Sequence, residues 1–254
     1  MKAGGNMKKI IITGGPTNEP IDEVMKITNM STGRLSAALG KLFLEAGYAV
    51  CLILNNSVNA GNLPDFPNLE ILWVETTDEM LEALKTQSES GDHADAVIHA
   101  SAVGDYKADF SFLLEDIAEE LFAKIKDISS ADDILKIMEE PDCRLDDSSK
   151  ISSYQKNLTV KLGLTPKIIS RLRSWYPNSL LIGCKLLEKV SKEELFEAAE
   201  ELCKKNRMDY ILANDLADLR EGRQERYVVT KDGFSGTMLD LTEDIFRFVD
   251  DKLR

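Results

Sequence analysis

The sequence predicts an α/β protein with a doubly wound, mostly parallel, Rossmann-like sheet, a helical insertion or flap, and a C-terminal β-hairpin. The first observation is a set of short, continuous apolar runs such as Lys8–Thr13 and Tyr48–Leu54. Such runs are typical of parallel strands that are buried on both faces. The second observation is that helix-like segments, beginning with residues 31–47, alternate with these runs. This alternation is typical of a sheet that helices cover on both sides.

The remaining elements continue the alternation along the chain. Helix starts are indicated by side chains that can cap free backbone amides, and a hairpin is indicated by the turn at Asp232-Gly233. The predicted caps are Ser31 or Thr32, the pairs Thr76–Glu79 and Ser191–Glu194, and Thr165 followed by Pro166. Further strands are predicted at Leu69–Val74, Ala96–Val103, Leu158–Leu164, Leu180–Leu187 and Asp209–Asp215, and a last helix at residues 242–253.

Charge is distributed unevenly along the chain. The 254 residues include 44 acidic and 31 basic side chains, a net charge of −13. This argues against nucleic acid as the main partner, because phosphate backbones require a basic surface. Residues 109–149 alone hold 13 acidic and 4 basic residues, with amphipathic stretches at Leu113–Ile125 and Ile134–Met138. We interpret this segment as a solvated helical insertion, or alternatively as a mobile flap over a site, in a single domain of residues 8–254 behind a leader of residues 1–7.

The four cysteines do not indicate a metal site. No two of them form a C-x-x-C pair, and the chain has only two histidines that could join them, so zinc is not expected. Scattered thiols are typical of a reducing cytosol. The N-terminus lacks the apolar segment of a signal peptide, and no apolar run approaches the ~20 residues that span a bilayer. A cytoplasmic protein is therefore expected, and His99, in mid-strand, is interpreted as a core histidine.

The segments that follow the strands are the candidate binding site, because parallel sheets bind ligands beyond the carboxyl ends of their strands. Four such segments are "TGGPTNEPID" (13–22), "NMSTGR" (29–34), "ASAVGDYK" (100–107) and "KISS" (150–153). In the first, Gly14 and Gly15 permit unusual backbone angles, and exposed amides there can cradle phosphate. The spacing matches neither common glycine-rich fingerprint, so an ordinary turn remains the alternative.

The other segments offer complementary groups. The amides that follow Ser31 are the free donors of a helix start, which favours an anion, and Arg34 adds a fixed positive charge. Asn29 offers both a donor and an acceptor, although an ordinary capped helix would look the same. In the third segment small residues would let a flat ring lie against the backbone, and Asp105 could serve a metal or a hydroxyl group. A single lysine such as Lys150 or Lys185 means little alone.

Together and in this order, the motifs resemble the phosphopantothenate–cysteine ligase family, also called phosphopantothenoylcysteine synthetase. The matching stretches are "TGGPTNEPID", "ITNMSTGR", "ASAVGDY", "KISS" and "ANDL", and they cover nearly the whole chain from Lys8. The resemblance is to the stand-alone bacterial type, without the flavin-dependent decarboxylase domain.

The resemblance implies an enzyme of coenzyme A biosynthesis that joins 4′-phosphopantothenate to L-cysteine. CTP with Mg²⁺ would activate the carboxylate as an acyl-cytidylate, with release of pyrophosphate and then CMP, and a homodimer is expected. Asn29 would hold the acyl intermediate and Lys150 would be the catalytic lysine. The expected nucleotide-binding residues are Gly14, Gly15, Thr17, Ser101, Ala102, Val103, Asp105 and Lys185, with Asp105 also facing the metal. The expected substrate-binding residues are Ser31, Thr32, Gly33 and Arg34.

This chain departs from the family pattern at several positions. Met25 stands where the family often has arginine, and Ser152 and Ser153 replace the later lysines of a K-x-K-K motif. Lys185 is expected to compensate for them. Cys184 replaces a frequent phenylalanine near the nucleotide base, which leaves the choice between CTP and ATP open.

Two other classes of protein fit a sheet of this kind. A nicotinamide-dependent short-chain reductase needs a G-x-x-x-G-x-G loop, which the sequence does not contain, and a Tyr-x-x-x-Lys pair. Tyr106-Lys107 and Tyr154-Gln155-Lys156 have the wrong spacing, and the right spacing occurs only at Tyr227 and Lys231, within the predicted hairpin. A non-catalytic nucleotide sensor would not need Lys150, although it could retain this lysine by descent.

Overall fold

The computed structural model of the protein describes residues 7–59 and 66–254. The predicted leader, residues 1–7, lies outside the described residues except for Met7. The strands are β1 (Lys9–Gly14), β2 (Asn18–Pro20), β3 (Lys26–Thr28), β4 (Ala49–Asn55), β5 (Leu69–Val74), β6 (Ala96–His99), β7 (Tyr106–Leu113), β8 (Leu158–Leu164), β9 (Leu180–Leu187), β10 (Tyr210–Asp215), β11 (Arg226–Thr230) and β12 (Gly233–Leu239). The helices are α1 (Arg34–Glu45), α2 (Thr77–Glu89), α3 (Leu114–Ala123), α4 (Ala131–Glu139), α5 (Ile169–Trp175), α6 (Lys192–Asn206), α7 (Leu216–Arg220) and α8 (Thr242–Leu253).

The chain forms two compact units. The first takes its described residues from Met1–Thr17, Asn29–Val103 and Pro166–Arg254. It contains an eight-stranded sheet in the order β12-β11-β10-β9-β6-β1-β4-β5. The six strands from β10 to β5 are parallel, and β11 and β12 form an antiparallel hairpin at one edge. The predicted α/β class, the mostly parallel sheet and the C-terminal hairpin are confirmed.

Strand β1 shows why the sheet is covered on both faces. Ile10, Ile11 and Ile12 are all fully buried although they point alternately to opposite sides. Ile11 packs in a core with residues of α2, α5 and α6, whereas Ile10 and Ile12 pack in a second core with residues of α1 and α8. A continuous apolar run is therefore the pattern that a central strand of this sheet requires.

The second unit, which takes its residues from Asn18–Thr28 and Gly104–Thr165, has a separate construction. It contains two antiparallel pairs, β2 with β3 and β7 with β8, and a small apolar cluster of Phe110, Phe112 and Ile117. The predicted amphipathic stretches correspond to α3 and α4. The expectation that residues 158–164 rejoin the regular alternation of the large sheet was wrong, since β8 pairs with β7.

Some of the predicted helix caps are present and others are not. Ser191 and Glu194 form a complete capping box, and the Thr76 side chain accepts the Glu79 amide at 3.2 Å. Neither Ser31 nor Thr32 caps α1, which begins after Gly33 without a side-chain cap. The Thr165 and Pro166 start was also wrong, because α5 begins at Ile169.

The Thr165 side chain has a partner away from α5. Its hydroxyl donates to the Gly104 carbonyl oxygen, which holds the side chain beside residue 104. All four cysteines are free thiols. Of the helices that the described residues form, none has the length and apolar character needed to cross a membrane.

Candidate functional site

The topological switch of the large sheet lies at β1. The chain places β4 and β5 on one side of β1 and places β6, β9 and β10 on the other side. Ligands of open parallel sheets bind where the strand order reverses, outside the carboxyl ends of the strands. The relevant loops are therefore residues 15–17 after β1 and residues 100–103 after β6.

A buried hydrogen bond joins the ends of these two strands. Oγ1 of Thr13 lies 2.8 Å from Nδ1 of His99, and the Ser101 amide donates to the same Thr13 oxygen at 3.3 Å. Burial lowers the pKa of His99 to about 4, so the imidazole is neutral near pH 7. The hydroxyl can donate to Nδ1 while it accepts from Ser101. The core interpretation of His99 is confirmed, and the two loops begin from a rigid, uncharged base.

The two loops then pair with each other. The Ala102 amide donates to the Gly15 carbonyl at 2.9 Å, and the Thr17 amide donates to the Ala102 carbonyl at 3.4 Å. Nδ2 of Asn29 donates to the carbonyl oxygens of Ala102 at 3.2 Å and Val103 at 3.0 Å. Three segments that are distant in sequence therefore meet at the switch point, as expected for a site.

Glycine is required where α1 approaches the end of β1. A Cβ on Gly14 would lie 2.4 Å from Cβ of Ser36, and one on Gly15 would lie 2.4 Å from Cγ2 of Val58. Gly15 and Gly33 also have φ of +84° and +67°, a region that side chains disfavour. The Ser36 hydroxyl donates to the Thr13 carbonyl at 2.8 Å. The absence of side chains thus lets the helix start pack directly on the loop.

The start of α1 has the properties of an anion site. Its first helical hydrogen bond runs from the Ala37 amide to the Gly33 carbonyl at 3.2 Å, so the amides before Ala37 are the donors that a helix leaves open. The first turn contains no acidic side chain to use the positive end of the helix dipole. Arg34 is exposed and forms no ion pair with any residue the structure describes. A phosphate or carboxylate could bind there by these amides and this cation.

Three other predicted nucleotide-binding residues, Thr17, Ser101 and Lys185, also lie in the first unit. The Thr17 hydroxyl accepts from the Thr77 hydroxyl, at the first position of α2, at 3.0 Å. Oγ of Ser101 is buried without a hydrogen-bond partner among the described residues, which is costly unless a ligand supplies one. Lys185 follows, by two positions, the β9 residue Gly183, which pairs with His99. Its ammonium group forms no ion pair within the described part of the chain.

Lys150 belongs to the second unit. Its side chain is exposed, and it makes no ion pair or hydrogen bond with the residues that the structure describes. It lines a pocket of about 190 Å³ whose walls include Met25, Ser152 and Ser153. These are the three positions where the sequence lacks the expected basic residues. Lys150 is therefore the only cation that lines this pocket among the described residues.

Asp105 also belongs to the second unit and is exposed at the start of β7. Its carbonyl oxygen accepts the Thr165 amide at 3.1 Å. Within residues 7–59 and 66–254, no group of three or more His, Cys, Asp or Glu side chains could hold a metal ion. A single carboxylate still fits Mg²⁺ that arrives with a nucleotide, because Mg²⁺ is commonly held by one or two carboxylates together with substrate phosphates and water.

Several residues that shape these positions were not predicted from the sequence. Ser36 and Val58 contact the glycines, and Asp22 binds the backbone next to Lys150 at 2.9 Å. Asp22 lies inside the motif "TGGPTNEPID", so the sequence could have indicated it as a candidate site residue. Val58 is an isolated apolar residue in a loop and gave no such signal.

The fold and these loops define a doubly wound α/β protein with a candidate site for anionic ligands at its topological switch point. Residues 6–142 match the family model described as the DNA/pantothenate metabolism flavoprotein C-terminal domain. This match covers more than half of the chain, and the protein belongs to that family. The family recognised from the sequence motifs is thereby confirmed.

Known relatives agree with this assignment. The chain is 29% identical, over 89% of its length, to the coenzyme A biosynthesis bifunctional protein CoaBC of Thermococcus kodakarensis. It is 28% identical, over 96% of its length, to the CoaBC protein of Methanocaldococcus jannaschii. It covers 45% and 52% of these two proteins, so the chain spans about half the length of the curated relatives it matches.

A solved structure resembles the chain over nearly its full length. The DNA/pantothenate metabolism flavoprotein from Streptococcus pneumoniae is 30% identical and superposes with a TM-score of 0.77. The match covers 97% of this chain and 98% of that one.

Proposed function

We propose that the protein is a phosphopantothenate–cysteine ligase, which joins 4′-phosphopantothenate to L-cysteine in coenzyme A biosynthesis. The observation that carries the proposal is the meeting of Asn29, the Gly15 loop and the 101–103 loop beside the open start of α1. A member of this family with such a site has the groups that a reaction between anions needs.

The reaction we propose has two balanced steps. The carboxylate of 4′-phosphopantothenate attacks the α-phosphorus of CTP, a P–O bond to the leaving group breaks, and pyrophosphate departs. The amine of cysteine then attacks the acyl carbon of the resulting acyl-cytidylate, the bond to CMP breaks, and the amine loses a proton as the amide forms. The first step brings together groups that repel each other, so aimed dipoles and cations must offset that repulsion.

Asn29 is proposed to hold the acyl intermediate. Its Nδ2 group donates to two carbonyl oxygens, which orients the amide plane before the substrate arrives. Pre-orientation of this kind lowers the cost of stabilising charge in a transition state. Lys150 is proposed as the catalytic lysine, since its exposed ammonium group can approach phosphate oxygens.

The remaining assignments follow the charges of the ligands. Ser31, Thr32, Gly33 and Arg34 are proposed to bind the anionic substrate at the start of α1. The proposed nucleotide-binding residues are Gly14, Gly15, Thr17, Ser101, Ala102, Val103, Asp105 and Lys185. Asp105 would hold Mg²⁺ carried by the triphosphate, and the ion would neutralise phosphate charge when bound. The homodimer stays a prediction, which light scattering would check.

The test is direct product formation. Purified protein is mixed with Mg²⁺, 4′-phosphopantothenate, L-cysteine and either CTP or ATP, and the products are separated and weighed by mass spectrometry. The proposal expects the amide of phosphopantothenate with cysteine, together with CMP and pyrophosphate. Absence of the amide with both nucleotides would reject the ligase. Reduction of a carbonyl substrate with a nicotinamide cofactor would favour the reductase instead.

A further inference from the structure

The second half of the "TGGPTNEPID" motif, which ends at Asp22, lies apart from the glycine loop. It lies in the second unit, where Asp22 occupies the turn between β2 and β3. One of its carboxylate oxygens accepts the amide of Ile151 at 2.9 Å. Ile151 immediately follows Lys150. Building on the proposed function, we propose that Asp22 is a positioning residue, which fixes the backbone that carries the catalytic Lys150.

The two carboxylate oxygens of Asp22 have separate tasks. Oδ1 accepts the amides of Val24 at 2.7 Å and Met25 at 2.6 Å, and it thereby closes the turn after β2. Oδ2 accepts the Ile151 amide from a segment 129 residues further along the chain. The carboxylate therefore connects a short hairpin turn to the lysine segment within one unit.

The segment around Lys150, residues 146–156, has few hydrogen bonds to the rest of the described chain. Apart from the bond of Ile151, the described hydrogen bonds of these residues join them only to one another, through Ser148 with Asp146 and through contacts to Ser152. Within the described residues, the bond from Ile151 to Asp22 is thus the single hydrogen bond that ties residues 146–156 to the rest of the unit. The next anchored amide on the N-terminal side is Leu145, which donates to the Ser111 carbonyl at 2.8 Å.

The hydrogen bond between Asp22 and Ile151 is buried, whereas the side chain of Lys150 is exposed. Asp22 and Ile151 are 6% and 8% exposed, whereas Lys150 and the residues from Ser152 to Asn157 are exposed. A buried amide bound to a buried carboxylate is a strong, charge-assisted hydrogen bond. The Met25, Ile151 and Val24 amides lower the pKa of Asp22, so the carboxylate is ionised near pH 7. The ammonium group of Lys150 therefore extends from a backbone whose position is set one residue away.

The variant Asp22→Asn separates the two tasks. Asparagine has one carbonyl oxygen and an NH₂ group in place of two acceptors. The oxygen can keep the bonds to Val24 and Met25, but the NH₂ group would then face the Ile151 amide, donor against donor. The turn is retained and the anchor is lost, with almost no change of side-chain volume. Asp146→Asn is the matched control, because Asp146 is exposed in the same segment and Ser148 is its only hydrogen-bond partner among the described residues.

The first measurement is hydrogen exchange of the peptide that contains Ile151. Asp22→Asn should raise its exchange rate at least about tenfold, and Asp146→Asn should leave it unchanged. Because no substrate is needed, this result tests the anchor even if the wild-type protein shows no ligase activity. Unchanged exchange at Ile151 in Asp22→Asn would overturn the proposal.

The second measurement separates a positioning role from a general loss of folding. Asp22→Asn should lower kcat by about 10- to 100-fold, whereas Asp146→Asn should retain wild-type turnover. If Asp22 acts through Lys150, the double variant with Lys150→Gln should be no slower than Lys150→Gln alone. Multiplied losses in the double variant, or full activity in Asp22→Asn despite fast exchange, would reject the positioning role.

Discussion

The hydroxyl of Thr13 lies 2.8 Å from Nδ1 of His99, and this buried pair joins β1 to β6 at the switch point of the sheet. The loops that continue from the two strands carry Gly15 and Ala102, which hydrogen-bond at 2.9 Å. The geometry of the candidate site therefore depends on a buried contact between the two strands. It also depends on His99 being uncharged.

The first prediction concerns pH and stability. The folded-state pKa of His99 is about 4, below its usual 6.5, so the unfolded chain binds an additional proton between these values. Stability contributed by neutral His99 is complete above about pH 6.5 and is lost as pH falls toward 4, about 3 kcal/mol in total. Urea unfolding at several pH values should show this loss in the wild type. In His99→Asn, whose Oδ1 can accept from Thr13, that part of the pH dependence should disappear; an identical slope in both proteins would contradict it.

The second prediction concerns the close approach at Gly15. Gly15→Ala introduces a disfavoured positive φ and a contact of 2.4 Å with Val58. Gly91→Ala is a matched control, because Gly91 has the same φ of +84° but no atom within 4 Å of the added Cβ. The control should cost about 1–2 kcal/mol of unfolding free energy, and Gly15→Ala should cost about 1–3 kcal/mol more through overpacking. Equal losses in the two variants would show that the contact with Val58 is unimportant.

The third prediction concerns Asn29. Asn29→Asp replaces the NH₂ group that donates to Ala102 and Val103 with a second oxygen, and it adds negative charge beside anionic substrates. Turnover should fall by about 10²–10³, measured as the steady-state rate of amide formation. Asn178→Asp makes the same change of charge at an exposed position of the first unit and should retain wild-type turnover. Wild-type turnover in Asn29→Asp would reject the assignment.

The fourth prediction concerns Lys150. Lys150→Gln removes the only cation that lines its pocket among the described residues, and turnover should fall by about 10²–10³. Lys156→Gln removes an exposed lysine from the same segment and should have little effect. Comparable losses in both variants would indicate a general effect of charge rather than a catalytic lysine.

The fifth prediction concerns nucleotide binding. Lys185 stands two positions beyond Gly183, the β9 partner of His99, and its positive charge is expected to compensate for the serines at 152 and 153. Lys185→Ala should raise the KM for CTP, whereas Lys205→Ala, at an exposed position on α6, should leave it unchanged. An unchanged KM in Lys185→Ala would refute the compensation.

The sequence predicted those parts of the fold that repeat a simple pattern. The continuous apolar run Ile10–Ile12 predicts a strand that is buried on both faces. The Ser191–Glu194 pair predicts a helix start, because its side chain and backbone bonds are made within four residues. Both predictions can therefore be made from local sequence. Thr165 does not cap a helix, since α5 begins only at Ile169, and its hydroxyl instead donates to the carbonyl oxygen of Gly104, 61 residues away in sequence. The short pairing of β2 with β3 contains too few residues to produce an alternating pattern.

In the candidate site, too, some features could be predicted from local sequence and others could not. Gly15 and Asn29 stand in recognisable motifs, and their meeting with Ala102 follows from the convergence of parallel strands. Local sequence does not predict that Gly33 is the N-cap residue of α1, or that Gly33 lies close to Val58. Both features depend on how closely α1 approaches the loop that follows β1. The bond between Asp22 and Ile151 spans 129 residues and has no periodic signature.

The most direct test of the proposed two-step reaction is to look for the activated intermediate in the absence of cysteine. Protein is mixed with Mg²⁺, CTP and 4′-phosphopantothenate, quenched rapidly, and examined by mass spectrometry. We expect an acyl-cytidylate and pyrophosphate with the wild-type protein, and strongly reduced amounts of both with Lys150→Gln. Formation of the amide upon addition of cysteine, with no acyl-nucleotide detectable beforehand from either CTP or ATP, would contradict the mechanism.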